Sequence, residues 1–463
     1  MPAIVTKDFR VHNARQFSES FGESADTYYL GIGRPQAFAN DQAFNDGTDT
    51  SPPTPVDSVG SVEYYVYDDI LSAKKVTSSD VSLVIPRRNW TTGTVYDYYR
   101  HDYGEINSAG NTITTDSGAS TLLDATFYVM NSTFDVYKVI DNNGGAASTT
   151  EPTGNKTTSV FSTADSYKWK YMYSLTASEQ ANFMSTDFIH VSTNASDIST
   201  TAGAIEHVKV TAGGSGGSNG TYTGVAIRGD GSGGECTVVV SSNAVTSVTI
   251  TTAGSGYTYA SVKASDIGNV SGADIDFIIS PPGGHGSDAI AELGGFFVMM
   301  NVDFTQGDGS GDFNTTNDFR RIVLLRNPTD STTGSTATAT TLDGTKSMTF
   351  SGTPGSFQAD EKITQATSGA VGFVVDFNST TKVLRYIQPQ FTNQGVDSDG
   401  NLTAFSSTNT VTGATSSATG TPSSHDTTPE LTADTGDILY IENRKPITRA
   451  SDQTENVKLI VEF

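Results

Sequence analysis

The chain has 463 residues, with 51 Asp and Glu against 27 Lys and Arg and a net charge of −24. Such a surface repels phosphate backbones, so nucleic acid is not an expected partner. No apolar run reaches 18 residues, so no membrane insertion by a helix is expected, and Cys236, the only cysteine, excludes an intrachain disulfide and any multi-cysteine metal site. The opening MPAIVTKDFR lacks the apolar centre of a signal peptide. The 23 Phe and 19 Tyr, set among abundant Gly, Thr, Ser, Asn and Asp, predict a mainly β chain of two to four small units joined by turns.

In chain order, a helix is expected first over 13–21, where Ala14, Phe17 and Phe21 recur at helical spacing. Pro52, Pro53 and Pro55 mark an irregular loop, after which 58–71 suits either a short helix capped by Asp57 or a strand. Residues 81–85 form a strand that stops at Pro86, and 126–139 alternate as a hairpin or bulged strand. Residues 142–157 form a Gly/Ser/Thr loop. Tyr167, Trp169, Tyr171 and Tyr173 place an aromatic face on a strand over 166–175; a helical turn over 177–183 and a strand over 188–191 follow.

The texture changes at Ile205. Val208–Val210 is followed by TAGGSGGSNGTYT, and Val248–Ile250 by TTAGSGYT, an internal repeat of strand, Gly-rich turn and aromatic. PPGGHG at 281–286 closes this stretch. A second change begins at Gly344, where 363–372 (ITQATSGAVG) and 411–420 (VTGATSSATG) are near copies, each preceded by a Phe and a polar turn. Low-complexity segments at 332–341 and 416–428 flank it. Both stretches read as inserted β modules, dispensable for folding of the core. The end of the chain is denser. A polar turn over 442–446, a short strand over 447–449 and a turn at Asp452, Gln453 and Thr454 lead into a strand with Val457, Leu459, Val461 and Phe463 on one face.

Several enzyme templates match in residues and fail in context. GGSGG at 213–217 satisfies G-x-S-x-G, but no helix follows it. Gly229, Gly231 and Gly234 satisfy G-x-G-x-x-G, yet a β-branched run follows where a phosphate-facing helix is required. Asp397, Asp399 and Asn401 have calcium-loop spacing, but Leu402 stands where the loop needs Gly and Thr408 where it needs Glu. Asp308, Asp312 and Asn314 form an oxygen-rich loop better read as solvated. The six histidines have no zinc spacing, and the acid–base group His101, Asp102 and Glu105 sits among tyrosines that suggest packing. No catalytic residue, metal ligand or cofactor is assigned, and the chain is not expected to be an enzyme. Basic residues instead cluster as Arg87 and Arg88 beside Trp90, Arg320 with Arg321, and Arg444 with Lys445. Arg and Trp are enriched at interface hot spots, so these seven are the candidate subunit interface; the alternative is that Trp90 fills a pocket of its own domain and the arginines cap carbonyls.

The closing segment ENRKPITRASDQTENVKLIVEF resembles the C-terminus of the baseplate wedge protein of T-even-like contractile phages. In the same order along the chain, IVTKDFR (4–10) resembles that family's opening strand, residues 13–22 its first helix and TYYLGIGR (27–34) the strand after it; IPRRNW (85–90), YKWKYMYS (167–174) and FRRIVLLRNP (319–328) also resemble segments of that family. The Gly/Thr repeats are similar to decorations of marine phage structural proteins. The resemblance implies a β-sandwich core with a few short helices in outlying loops, made of residues 1–204, 284–343 and 426–463, with inserted modules at 205–283 and 344–425. It implies a virion protein, made in the host cytoplasm, that acts as a homodimer in the tail baseplate and rearranges with it on host attachment. The implied partners are other wedge proteins and tail-fibre attachment proteins. The closing segment is then expected to complete a sheet begun by 4–10 and 28–33. The alternative function is a host-receptor- or glycan-binding tail protein, or a depolymerase with two facing carboxylates.

Overall fold

A computed structural model describes residues 3–38, 47–55, 66–106, 110–154, 156, 160–193, 201–305, 317–389, 395–447 and 455–463. The chain is mainly β, with antiparallel sheets and, among the described residues, three short α-helices. Two compact units emerge, one of Met1–Phe17, Ser82–Met299 and Ile460–Phe463, the other of Ser18–Val81 and Met300–Leu459.

The first unit is organised by a four-stranded sheet in the order Tyr128–Met130, Asp135–Asp141, Lys168–Ser174, Phe161–Ser162. The alternating aromatics seen in sequence all go inside. Tyr137, Tyr167, Trp169 and Tyr173 are among the largest fully buried side chains, and Tyr167 stacks on Trp169 at 5.4 Å. Buried tyrosines need an acceptor for each hydroxyl. Tyr128 donates to Pro86 O at 2.7 Å, Tyr137 to Gly154 O at 3.0 Å and Tyr173 to His190 O at 2.8 Å, so the ring layer also fixes the surrounding loops. The hairpin turns on Asn131, whose carboxamide oxygen accepts from the Thr133 and Asp135 amides at 2.9 Å. The helix Ala177–Phe183 starts at a capping box, with Thr176 accepting from the Glu179 amide and Glu179 from the Thr176 amide.

Residues 205–279 carry their own apolar cluster, including Cys236, Val238, Tyr257 and Phe277. Burial lifts the Cys236 thiol to about 11, so it packs as a small apolar group. The internal repeat is visible in three dimensions. Ile205–Ser215 pairs with Ser271–Ile279, and Ser232–Ser241 pairs with Ala244–Ser255, so the first strand of each copy pairs with the last strand of the other. The registers correspond: Ser215 faces Ser271 and Ser255 faces Ser232. Gly214 and Gly254 occupy matching bends at φ +68 and +64, a region that disfavours any side chain. The glycines of the G-x-G-x-x-G match have a packing reason. A Cβ on Gly231 would lie 2.5 Å from Cγ of Tyr257, and one on Gly234 2.8 Å from its hydroxyl.

In the second unit a five-stranded sheet runs Thr341–Asp343, Ile70–Val76, Tyr28–Gly33, Phe319–Arg326, Asp437–Ile447. Tyr28–Gly33 is buried throughout, as its near-continuous apolar run requires. A seven-stranded sheet holds residues 344–426 around Met348, Ile363, Leu384, Tyr386 and Val411. Here too the copies are related by an approximate twofold. Lys362–Gln365 pairs antiparallel with Val411–Gly413, and Thr364 faces its own counterpart Thr412. The Glu361 carboxylate closes the joint by accepting from the Thr415 and Ser416 amides at 3.0 and 2.9 Å.

Three expectations change. Residues 4–10 are not a strand: an α-helix, Lys7–Ser20, begins there, with the Thr6 hydroxyl accepting from the Phe9 amide and Asp8 in the first turn. Residues 442–446 are not a turn but part of the strand Asp437–Ile447, where Asn443 faces Arg321 and accepts from its Nε at 3.0 Å. A bulge between Phe319 and Arg321 absorbs the extra residues before Pro446. The expected single closing sheet is two: Asp437–Ile447 shares a sheet with Tyr28–Gly33, whereas Glu455–Glu462 neighbours Phe297–Phe304 in another. The expected alternation in that last strand holds, with Val457 and Leu459 both buried. Ile70–Val76 is a strand that the reading of 58–71 did not anticipate; 56–65, 306–316 and 448–454 lie outside the described residues. Gly231→Ala is expected to cost about 1–3 kcal/mol by forcing Tyr257 from its place, measured as a lower midpoint in thermal unfolding; an unchanged midpoint would contradict this packing.

Candidate subunit interface

Arg87, Arg88 and Trp90 lie just past the strand Val81–Pro86, and all three side chains are half-buried. Trp90 donates from Nε1 to Ser148 Oγ at 3.0 Å and packs on the aromatic core. Arg87 donates to Ser185 O at 2.9 Å and Asn89 Oδ1 at 3.0 Å. Arg88 donates to Leu123 O at 3.1 Å and to Ala125 O, with its guanidinium 4.7 Å from the Tyr128 ring centre. The four other candidates belong to the second unit. Arg320 is buried and grips Asp49 through two bonds of 2.9 and 3.0 Å. Burial pushes the Asp49 carboxyl up, but Arg320 and the Phe38 amide prevail and hold it below the usual carboxylate range. Arg321 reaches both oxygens of Asp69 at 2.9 Å, and Asp69 is fully buried. Arg444 is half-buried and Lys445 exposed on the neighbouring strand. Sequence reasoning therefore found side chains that organise loops; Arg87, Arg88 and Arg444 are the described arginines with no carboxylate within 4.0 Å.

Sequence reasoning missed the buried charges of the first unit. Lys138 and Lys170, on neighbouring strands, are both buried. Lys138 forms an ion pair with Glu292, and its ammonium lies 4.7 Å from the Tyr99 ring centre. Burial pulls the Lys138 pKa down and Glu292 opposes it. Glu292 also accepts from the Gly286 amide at 2.8 Å, which fixes the exit of the 205–279 stretch. His285 Nε2 lies 3.8 Å from Glu206 Oε2; burial raises the Glu206 pKa against both lysines. Nearby, Arg100 pairs with Asp276 at 2.9 Å and with Asp102 at 2.6 Å, and His207 lies 3.4 Å from Asp141. Burial takes His207 down to about 4 despite Asp141, so it is neutral at pH 7. His101 Nδ1 accepts from the Ile279 amide at 3.3 Å, which assigns the local acid–base group to packing. Glu292→Gln keeps an acceptor for Gly286 but strands the Lys138 charge. It is expected to cost about 3 kcal/mol in urea unfolding, and adding Lys138→Met should recover most of that; additive losses would contradict the pairing.

The other sequence motifs resolve as turns. Asp397 Oδ1 accepts from the Asp399 and Asn401 amides at 2.9 Å. Among the described residues no group of His, Cys, Asp and Glu is placed to hold a metal, and Asp308, Asp312 and Asn314 lie outside them. In the second unit Asp360 accepts from Asn317 Nδ2 at 3.2 Å, and burial pushes its carboxyl up to about 6, with Asp318 adding to the rise. The folded chain thus binds this proton more tightly than the unfolded one. The carboxylate costs stability as pH rises from 3.8 to about 6, and the full cost persists above that. Asp360→Asn is expected to raise the unfolding free energy at pH 8 by on the order of 1 kcal/mol, with the gain vanishing below pH ~4; a pH-independent effect would contradict it.

Fold and candidate residues together define a β-rich protein whose described charged side chains mostly serve internal ion pairs, caps and turns. Two segments, residues 3–148 and 393–463, match the family model described as Phage-Gp8, Bacteriophage T4 Gp8. This match supports a structural protein of a phage baseplate. No curated protein matches the chain. The matched segments contain 4–10, 13–22, 27–34, 85–90 and 442–463, five of the stretches whose resemblance was noted in sequence, whereas 167–174 and 319–328 fall outside them. Residues 205–283 also fall outside, and 344–425 overlaps the match from 393.

Proposed function

We propose that the chain is a baseplate wedge subunit of a contractile phage tail. The observation that carries this is the family match at both ends of the chain, residues 3–148 and 393–463. As a wedge subunit it works as a homodimer, contacts other wedge proteins and tail-fibre attachment proteins, and holds one arrangement before host attachment and another after it. The core is residues 1–204, 284–343 and 426–463, and the stretches 205–283 and 344–425 are insertions that extend contacts to neighbours. The internal bonding of the arginines and the buried aromatic layer supports the mechanical part of this reading. Units that are stiff inside move as bodies about their interfaces, and small shifts at those interfaces are enough to switch an assembly. Cryo-electron microscopy of intact tails is expected to place paired copies of the chain in every wedge. Its absence from the baseplate, or glycan cleavage by the purified chain, would contradict the proposal and favour a receptor- or glycan-directed tail protein.

A further inference from the structure

One groove of the first unit, of about 740 Å³, is lined by the N-terminal segment, the 121–124 loop and residues 293–297. Its lining is mainly apolar and includes Ile4, Val5, Leu122, Leu123, Phe296 and Phe297. Ile4 is 86% exposed and Val5 63%, and Phe9 on the adjoining helix turn is 56% exposed. Ile4 and Val5 thus place exposed apolar surface at the groove, of the kind that marks an interaction site.

Charge identifies what fits there. Lys7 lies 3.5 Å from Asp8, Arg10 pairs with Glu462, and Asp124 accepts from the Thr121 hydroxyl at 2.5 Å. Arg88 also lines the groove, but its two bonds go to neutral carbonyls, leaving its charge without a carboxylate. In a chain with 51 acidic residues against 27 basic ones, Arg88 is a cation at an apolar cleft that forms no ion pair; the groove lining carries three cations, Lys7, Arg10 and Arg88, against two carboxylates, Asp124 and Glu462. A half-buried guanidinium has spare planar donors and gains most from a carboxylate delivered with water excluded. We propose that this groove docks an apolar segment of a partner protein that carries a carboxylate to Arg88. The proposal rests on the assembly reading above and adds the chemistry of one contact.

The test uses the full-length chain and fluorescence anisotropy with labelled octapeptides that alternate leucine and serine and carry one glutamate, compared with the same peptides carrying glutamine. The glutamate peptide is expected to bind about tenfold tighter, the scale of one charge-assisted hydrogen bond. Arg88→Gln should reduce that preference to within about twofold. Because Arg88 also holds the 123–125 loop, Val5→Asp serves as a second variant on an exposed position; it should weaken both peptides by removing an apolar contact, and the glutamate peptide more, because the new carboxylate repels it. Equal binding of the two peptides, no binding by either at millimolar concentration, or groove variants that change only self-association in sedimentation would overturn the proposal. The peptide preference is read on the isolated chain, and the presence of the chain in the tail is read by microscopy, so either can fail without the other.

Discussion

The ion pair of Lys138 with Glu292 is the constraint on which the first unit depends. The strands Asp135–Asp141 and Lys168–Ser174 bury both faces. One face is the aromatic layer. The other presents two lysines, and an ammonium taken from water without a partner costs several kcal/mol. Glu292 and Glu206 answer those charges from a helix and a strand far along the chain. Glu206 opens the 205–279 stretch, Ile278 near its end packs into the aromatic core, and Asp276 takes Arg100. The base of that stretch is therefore part of the interior of its host. The sequence reading makes the whole stretch dispensable for folding; these contacts predict instead that only the part above the base is.

Both repeat-bearing regions solve the problem of open strand edges by internal symmetry. In 205–279 the two copies exchange strands, the first strand of each pairing with the last of the other. In 344–426 the copies meet edge to edge at Thr364 and Thr412. Backbone donors that a lone hairpin would expose are thus satisfied by its copy. A sequence poor in large apolar residues can fold this way because close backbone approach, at positions such as Gly231, takes the place of thick side-chain packing.

Much of this was legible where the cause is local. A helical turn was expected over 177–183, where the Thr176 and Glu179 capping box starts the helix, and alternation announced the hairpin after Tyr128 and the final strand. The first helix also carries a local start signal in Thr6 and Asp8, which the expectation of a strand over 4–10, taken from resemblance, did not use. Residues 442–446 carry turn chemistry, and only pairing with Phe319–Arg326, across a bulge, makes them a strand. The buried lysines were illegible, because a lysine in an alternating strand reads as solvent-facing until Glu206 and Glu292 are known to lie over it. The candidate arginines were found by residue type; their partners, such as Asp69 for Arg321, are separated from them by most of the chain.

The central claim is that the base of the 205–279 stretch, and not the stretch as a whole, belongs to the interior of the first unit. The most direct measurement compares two deletions by calorimetry: removal of 205–283, and removal of 211–274 with Val210 joined to Ile275, its partner in the strand register, by an Asn-Gly turn. The account predicts that the shorter deletion, which keeps Glu206, Asp276 and Ile278, unfolds in a cooperative transition, and that the longer one does not. Equal cooperative unfolding of both would contradict it.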